Sequence, residues 1–234
     1  MNEPSTGMTK ELLLSEMPSI TTEQADLFIK YFDMLVDWNT RMNLTRITEP
    51  REVAQKHFAD SVLAADLIPV GSRAADIGTG AGFPGIPLKI IRPDIELTLI
   101  DSLGKRVNFL NAVCAELGFS AVTVHARAED AARDSKLRGS FDFALSRAVA
   151  PMNILLELTV PFVKIGGSSL MYKASNVAEE LTSAENALMV LGCRAELHEF
   201  SVAWGSRTIV SAVKLKPTDK KYPRKAGFVE KNPL

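Results

Sequence analysis

Apolar positions recur at helical spacing in the first part of the chain. One such set begins at Thr21, which has Gln24 three residues later, the pattern of a capping box at a helix N-terminus. A second amphipathic helix is predicted over residues 51–66. The chain is therefore expected to begin with a helical extension over residues 1–70 that packs on the core. The apolar face of the first helix is formed by Ala25, Phe28, Phe32 and Leu35.

From Arg73 onward, short apolar runs alternate with longer helical stretches. This alternation predicts βαβ units, a mainly parallel sheet and helices on both of its faces, which is a doubly wound α/β fold. Two last strands flank Trp204-Gly205-Ser206 without a helix between them, so an antiparallel hairpin is expected there. The predicted strands are 74–77, 97–100, 121–124, 141–145, 169–172, 195–202 and 208–215, and the predicted helices are 85–92, 104–117, 151–164 and 176–191.

Composition narrows the class of protein. The chain has 234 residues, of which 46 % are hydrophobic and 24 % charged, so it can build a core and is not a disordered protein. It contains no apolar run of the ~18 residues that a membrane span needs. The N-terminal residues lack the basic start and apolar core of a signal peptide. Two cysteines, Cys114 and Cys193, provide neither a disulfide framework nor a four-cysteine zinc site. A cytoplasmic protein without a metal is expected.

Charge is distributed unevenly although the net charge is only −1. Residues 214–234 carry seven Lys or Arg and two acids, so the rest of the chain is acidic. A basic tail on an acidic body is typical of a protein that meets a polyanion such as nucleic acid, and a solubilising tail is the alternative. Three segments are predicted: the extension 1–70, a main domain 71–216 and a basic tail 217–234.

The stretch from Asp76 to Gly85 follows a predicted strand and begins a helix, the position where open α/β sheets bind ligands. Its spacing Gly80-x-Gly82-x-x-Gly85 matches the dinucleotide fingerprint. The overlapping Gly78-x-Gly80-x-Gly82, preceded by Asp76, instead looks like the loop of S-adenosylmethionine-dependent methyltransferases, whose cofactor has an ammonium group that an acid attracts. A glycine-rich turn without a ligand is the third possibility. Asp101, at the end of the next strand, fits the ribose of either nucleotide-type cofactor.

A set of motifs then resembles one family over residues 22–230. The chain resembles the bacterial small-subunit (16S) ribosomal RNA guanine-N7 methyltransferases, also called glucose-inhibited division protein B. This resemblance implies a Rossmann-like class I methyltransferase fold, S-adenosylmethionine as cofactor, and 16S rRNA or the small ribosomal subunit as partner. The motifs are Asn43-Leu44-Thr45, Lys56 to Ser61, Asp76 to Pro87, Asp101 to Arg106, Ser146-Arg147-Ala148 and Lys221 to Lys225.

The resemblance also implies site residues. Guanine N7 has a free lone pair and no proton, so its methylation requires positioning rather than a general base. No catalytic residue is therefore assigned, and Arg147 is the positional candidate. The chain departs from the family at Ala174, where many members have glycine after Tyr-Lys. The cofactor-binding candidates are Gly78, Phe83, Asp101, Ser102, Ala128, Glu129 and Arg147.

Basic residues supply the candidates for RNA binding. Tyr222, among the basic residues of the tail, is a candidate for stacking on an unpaired base. His57 is interpreted as a structural histidine bonded to the backbone, with an RNA contact as the alternative, and nothing indicates a metal ligand. An NAD-type oxidoreductase and a non-catalytic RNA-binding protein with a relict cofactor pocket remain as alternatives. The RNA-binding candidates are Lys105, Arg106, Lys173, Arg207, Lys220, Lys221, Arg224 and Lys225.

Overall fold

A computed structural model describes residues 7–174 and 177–234. Seven strands form a single sheet in the order β3-β2-β1-β4-β5-β7-β6. β1 to β5 run parallel to one another, and β7 runs antiparallel to both β5 and β6. The expected mostly parallel seven-stranded sheet is confirmed. The strands are β1 (Arg73–Ile77), β2 (Glu96–Asp101), β3 (Val122–His125), β4 (Phe141–Arg147), β5 (Val163–Lys173), β6 (Cys193–Val202) and β7 (Gly205–Lys214).

Helices cover both faces of this sheet. One face packs against the N-terminal helices, α5 and α6, and the other packs against α7, α8 and α10. The helices are α1 (Lys10–Glu16), α2 (Thr22–Met42), α3 (Pro50–Val53), α4 (Asp60–Val62), α5 (Gly85–Ile91), α6 (Gly104–Leu117), α7 (Ala128–Ala131), α8 (Met152–Thr159), α9 (Val177–Ser183), α10 (Glu185–Leu191) and α11 (Phe228–Lys231).

The N-terminal helices are part of the core rather than a separate appendage. The predicted capping box of Thr21 and Gln24 is present at the start of α2. The side-chain amide of Gln24 also donates to the carbonyl oxygens of Ile90 and Ile91, at the C-terminal end of α5. Tyr31 is fully buried, and its hydroxyl donates to the carbonyl oxygen of Ala81. The extension therefore supports the loop that follows β1.

A π-helix interrupts the second predicted helix. Residues 50–62 are helical throughout, but Ala54–Ala59 form a π-helical segment between α3 and α4. A π-helix carries one extra residue per turn, which shifts the side chains that follow it, and such segments are frequent at functional sites. Here the segment contains His57 and directly precedes Asp60.

Two other predicted helices differ from the structure. The helix expected over 151–164 ends at Thr159, because Pro161 has no N–H to continue it, and β5 already starts at Val163. Helix 176–191 is divided into α9 and α10, with Ala184 between them. Its first predicted residue, 176, lies outside the described residues.

The C-terminal segment is anchored to the core, which its charge pattern did not predict. Tyr222 is only 8 % exposed and belongs to the cluster around α8 and α10. The guanidinium of Arg138 donates to the carbonyl oxygens of Tyr222, Thr218 and Asp219 at 2.8 to 3.2 Å. Because Tyr222 is packed inside, it is not placed to stack on a base, and that part of the sequence interpretation is wrong.

Within residues 7–174 and 177–234, the structure contains no helix long and apolar enough to cross a membrane.

Candidate active site

The loop after β1 turns tightly at the carboxyl end of the sheet. Gly78, Gly80 and Gly82 have φ angles of 68°, 62° and 98°, a region that side-chain-bearing residues rarely adopt. The N–H groups of Gly78 and Thr79 donate to the carbonyl oxygen of Ile100 in the neighbouring strand β2. The glycines thus hold the chain close to the end of β2.

Asp76 lies fully buried beneath this loop. Its Oδ2 accepts hydrogen bonds from Thr79 Oγ1 at 2.6 Å and from the N–H of Gly85 at 2.9 Å. Its Oδ1 has no hydrogen-bond partner among the described residues. Burial raises the pKa of this carboxyl to about 6, although the hydrogen bonds from Thr79 and Gly85 act to lower it. The site therefore contains a buried oxygen that a cationic ligand group would satisfy.

Asp101 ends β2 and connects it to the glycine loop. Its Oδ2 accepts from the N–H of Gly80 and its Oδ1 from the N–H of Leu103, both at 2.9 Å. Arg106 lies 3.5 Å from the same carboxylate and is half-buried, so its contact with Asp101 is an alternative to the predicted RNA contact. Each carboxylate oxygen has more than one lone pair, so Asp101 keeps acceptor capacity toward the cleft.

A narrow cleft, which we call the nucleotide cleft, lies beside Gly78 and Asp101 and is not lined by the buried Asp76. It is bounded by the loop after β1, the end of β2, the start of α7 and Val149, which follows β4. Five of the seven predicted cofactor-binding residues meet here. They are Gly78, Asp101, Ser102, Ala128 and Glu129.

The other two candidates, Phe83 and Arg147, lie together outside the nucleotide cleft. The guanidinium of Arg147 is 4.9 Å from the centre of the Phe83 ring, and the ring of His57 stacks on Phe83 at 4.5 Å. Arg147 also donates to the carbonyl oxygens of Lys56 and His57 at 2.9 and 3.5 Å. These bonds attach the end of β4 to the π-helical segment.

His57 faces Arg147 as an uncharged ring. Burial and the nearby positive charge of Arg147 lower the pKa of His57 to about 3. Its Nδ1 lies 3.3 Å from both Arg147 Nη2 and the carbonyl oxygen of Lys56, and its Nε2 lies 2.8 Å from Thr45 Oγ1. In the tautomer that carries its proton on Nε2, Nδ1 accepts from Arg147 and Nε2 donates to Thr45. His57 thus contacts Arg147 and orients its guanidinium, and its interpretation as a structural residue stays a prediction.

A second and larger pocket, with a volume of about 430 Å³, opens beside Arg147 at the ends of β4 and β5. We call it the basic pocket. Four of its lining side chains are basic and two are acidic. Ala148 lines the basic pocket and Val149 lines the nucleotide cleft, so consecutive residues separate the two. Ala148 has a φ of 54°, which costs an alanine roughly 1 to 2 kcal/mol. The charged residues of the basic pocket are Lys56, Arg147, Lys173, Arg207, Asp60 and Glu180.

Ion pairs fix two of these basic side chains. Arg207 Nε donates to both oxygens of Asp60 at 3.0 to 3.1 Å, and Trp204 Nε1 donates to Asp60 Oδ1 at 2.6 Å. Lys173 Nζ lies 2.6 Å from Glu180 Oε2, and only 9 % of the Lys173 side chain is exposed. Two of the predicted RNA-binding residues, Lys173 and Arg207, are therefore inside a pocket rather than on an open surface.

The other RNA-binding candidates fall into two groups. Arg224 is bound to Glu157, a fully buried carboxylate, through its backbone N–H and its guanidinium. This pairing gives Arg224 a structural role that the sequence pattern did not indicate. The exposed candidates are Lys105, Lys220, Lys221 and Lys225.

Sequence reasoning missed three residues of the basic pocket. Asp60 belongs to a motif that was recognised, but no role was assigned to it. Tyr172 is buried, and its hydroxyl donates to the carbonyl oxygen of Ser61 at 2.8 Å. Glu180 looks like an ordinary charged position of a surface helix, and nothing in the sequence distinguishes it. In the part of the chain that the structure covers, no group of three or more potential ligands could hold a metal ion.

The strand order, the glycine loop after β1 and the acid that ends β2 together define a Rossmann-like methyltransferase. A family model described as "GidB: rRNA small subunit methyltransferase G" matches residues 24–209. The chain belongs to this family. It is 43 % identical over 224 residues to the ribosomal RNA small subunit methyltransferase G of Clostridium beijerinckii, with 92 % of each chain covered. It is 46 % identical over 230 residues to that of Streptococcus gordonii, with 96 % of this chain and 97 % of the relative covered.

Solved structures agree on the fold. One similar structure is T. thermophilus 16S rRNA N2 G1207 methyltransferase (RsmC) in complex with AdoMet and guanosine, with a TM-score of 0.50 at 16 % identity. The match covers 69 % of this chain and 40 % of that one. Another is M. jannaschii TYW2 in complex with AdoMet, with a TM-score of 0.52 at 17 % identity, covering 68 % and 75 %. At these sequence identities, the similarity shows a shared fold and nothing more specific.

Proposed function

We propose that this protein transfers the methyl group of S-adenosylmethionine to N7 of a guanine in 16S rRNA. The observation that carries the proposal is the buried Oδ1 of Asp76 beneath the glycine loop, which has no hydrogen-bond partner in residues 7–174 and 177–234. An ammonium group supplies the hydrogen-bond donor and the positive charge that this oxygen requires. A pyrophosphate supplies neither, and the N–H groups of Gly80 and Gly85 already donate to Asp101 and Asp76.

The residues present fit the cofactor. Asp76 would hold its amino group, Asp101 and Ser102 its ribose, and Ala128 with Glu129 its base. When bound, S-adenosylmethionine supplies a sulfonium methyl: the N7 lone pair forms the N–C bond, the S–C bond breaks, and the positive charge passes to the guanine ring. The chain contributes orientation, since N7 has no proton to remove. Holding two reactants in line supplies on the order of 7 kcal/mol of barrier reduction in favourable cases.

The function is tested by incubating the protein with labelled S-adenosylmethionine and small ribosomal subunits that lack the modification. Label recovered as 7-methylguanosine after digestion to nucleosides is the expected result. Label in another nucleoside would support methyltransferase activity but exclude guanine N7 as the acceptor. If no label is transferred while the cofactor binds, 16S rRNA is not the substrate under those conditions. Subunits from a strain that already carries the modification serve as the control.

RNA affinity is expected to depend on salt through the exposed lysines. Replacing Lys105, Lys220 and Lys225 together with glutamine should flatten the plot of log affinity against log salt by about 2 to 3 units, since each phosphate contact contributes about 0.7 to 0.9. The measurement is RNA binding by titration at several salt concentrations. Lys30→Gln, an exposed lysine on α2, is the control and should leave the slope unchanged. An equal slope for the triple variant and the wild type would remove these lysines from the RNA contact.

A further inference from the structure

We infer that the basic pocket receives the target guanine and that the Lys173–Glu180 ion pair recognises its Watson–Crick edge. The inference rests on the proposed function and names the residues that select the base. Its starting point is the position of the pocket. The pocket meets the nucleotide cleft at Ala148 and Val149, and its volume of about 430 Å³ is within the range of ligand-binding pockets.

The sheet places the ion pair at this junction. Arg147 at the end of β4 pairs with Tyr172 in β5, so Lys173 is the next residue along the neighbouring strand. Glu180 reaches the pocket from α9 and also accepts from the N–H of Met152, at the start of α8, at 2.8 Å. Three elements therefore hold the ion pair rigidly, and selective recognition of a planar base requires such rigidity.

The pair offers a hydrogen-bond donor next to an acceptor. Lys173 Nζ donates to Glu180 Oε2 and to the carbonyl oxygen of Ala150, at 2.6 and 3.2 Å, and an ammonium has three N–H donors. Both observed bonds to the Glu180 carboxylate go to Oε2, so within the described part of the chain Oε1 is left to accept from a ligand. A lysine N–H beside a carboxylate oxygen complements guanine, whose O6 accepts while N1–H and the 2-amino group donate. Adenine presents the opposite pattern, with a donor at position 6 and an acceptor at N1.

The other acid of the pocket is already in use. Asp60 accepts from Arg207 and Trp204, and 13 % of its side chain is exposed. Its three bonds engage both carboxylate oxygens and position Arg207, so Asp60 has less acceptor capacity left for a base than Glu180. Glu180 is 27 % exposed, which is the more open of the two carboxylates.

The charge of Glu180 also suits the product. Methylation at N7 leaves the guanine ring positively charged, and a carboxylate hydrogen-bonded to N1–H and the 2-amino group stabilises that charge as it develops. Removal of the charge is therefore expected to slow the reaction as well as to weaken recognition. A loss of activity on removal of this charge distinguishes recognition of the base from general electrostatic attraction of RNA, which an acidic residue weakens.

The test compares guanosine with inosine, which lacks only the 2-amino group, at the position that the wild-type protein methylates. Small subunits are reconstituted with either nucleoside at that position. The wild type is expected to prefer guanosine by about tenfold to a hundredfold in kcat/KM, the range for the loss of one hydrogen bond to a charged group. Glu180→Gln should lower kcat/KM for guanosine by at least about tenfold and make the two substrates nearly equal. Binding of both RNAs with S-adenosylhomocysteine present should show the same loss of preference.

Glu179→Gln is the matched control, because it removes the same charge from an exposed position of the same helix. Its guanosine preference should remain that of the wild type. A Glu180→Gln protein that keeps the full preference overturns the inference while the proposed function stands. If the wild type itself transfers no methyl group to guanosine, the proposed function fails instead. If Glu180→Gln does not fold, the wild type alone still tests the inference. Equal kcat/KM values for inosine and guanosine would then overturn it.

Discussion

Asp76→Asn is expected to weaken binding of S-adenosylmethionine by about a hundredfold, because removing one partner of a buried charge pair costs roughly 2 to 5 kcal/mol. The asparagine oxygen can still accept from Thr79 and Gly85 at the position of Oδ2. The amide nitrogen, however, then replaces the unpartnered Oδ1 and turns a donor toward the cofactor's ammonium. Titration calorimetry with the cofactor measures this loss directly.

The same carboxylate makes cofactor affinity depend on pH. Burial raises the pKa of Asp76 from its usual 3.8 to about 6, so the proton stabilises the folded protein below pH 4 and this contribution is lost as the pH rises through 6. An ammonium ligand prefers the ionised form. Wild-type affinity is therefore expected to fall by about tenfold between pH 7 and pH 5, since only about a tenth of the carboxyl is ionised one unit below its pKa.

Asp76→Asn is itself the control for this pH dependence, and its residual affinity should be constant over the same range. Its stability also gives a separate measurement. A neutral amide avoids burial of a charge, so the variant should be at least as stable as the wild type at pH 7 without ligand. A wild-type affinity that does not change from pH 7 to pH 5 would show that Asp76 does not bind the ammonium.

The sequence predicted the sheet and the nucleotide cleft because both depend on local patterns. Strands alternate with helices, and the glycines and acids of the cleft follow directly after β1 and β2. Parallel strands bring their carboxyl ends to the same edge, so order along the chain was enough to bring Gly78 and Asp101 together. The fold neighbours and the family match confirm this architecture.

The basic pocket was less predictable because its contacts depend on how separate helices and strands pack against one another. Glu180 and Lys173 come from a helix and a strand whose relative position depends on how α9 packs, and Asp60 meets Trp204 across 144 positions of the chain. The π-helical turn before Asp60 has no signature in the pattern of apolar residues. Charge alone also could not distinguish the paired Arg224 from the exposed Lys225, since both belong to one basic run.

Arg224→Ala is expected to destabilise the protein by about 3 kcal/mol, because it leaves the carboxylate of Glu157 buried without its guanidinium partner. Glu157 is fully buried on α8, and Arg224 Nε and Nη2 both donate to it at 2.6 to 3.1 Å. For a chain of this size the loss corresponds to a decrease of about 6 to 12 °C in Tm. Thermal unfolding measured by circular dichroism checks it.

Lys225→Ala tests the neighbouring position, where the side chain is exposed, and it should leave Tm nearly unchanged. Adding Glu157→Gln to Arg224→Ala should restore part of the stability, because the buried group is then neutral and can still accept from the backbone N–H of residue 224. An Arg224→Ala protein with unchanged Tm but weaker RNA binding would instead assign Arg224 to the RNA surface. A loss of stability in Arg224→Ala would mean that the basic C-terminal segment stabilises α8, and that its exposed lysines are the residues that contact RNA. Deleting residues 217–234 would then uncover Glu157 and remove the buried Tyr222, so truncation measures stability as well as RNA binding.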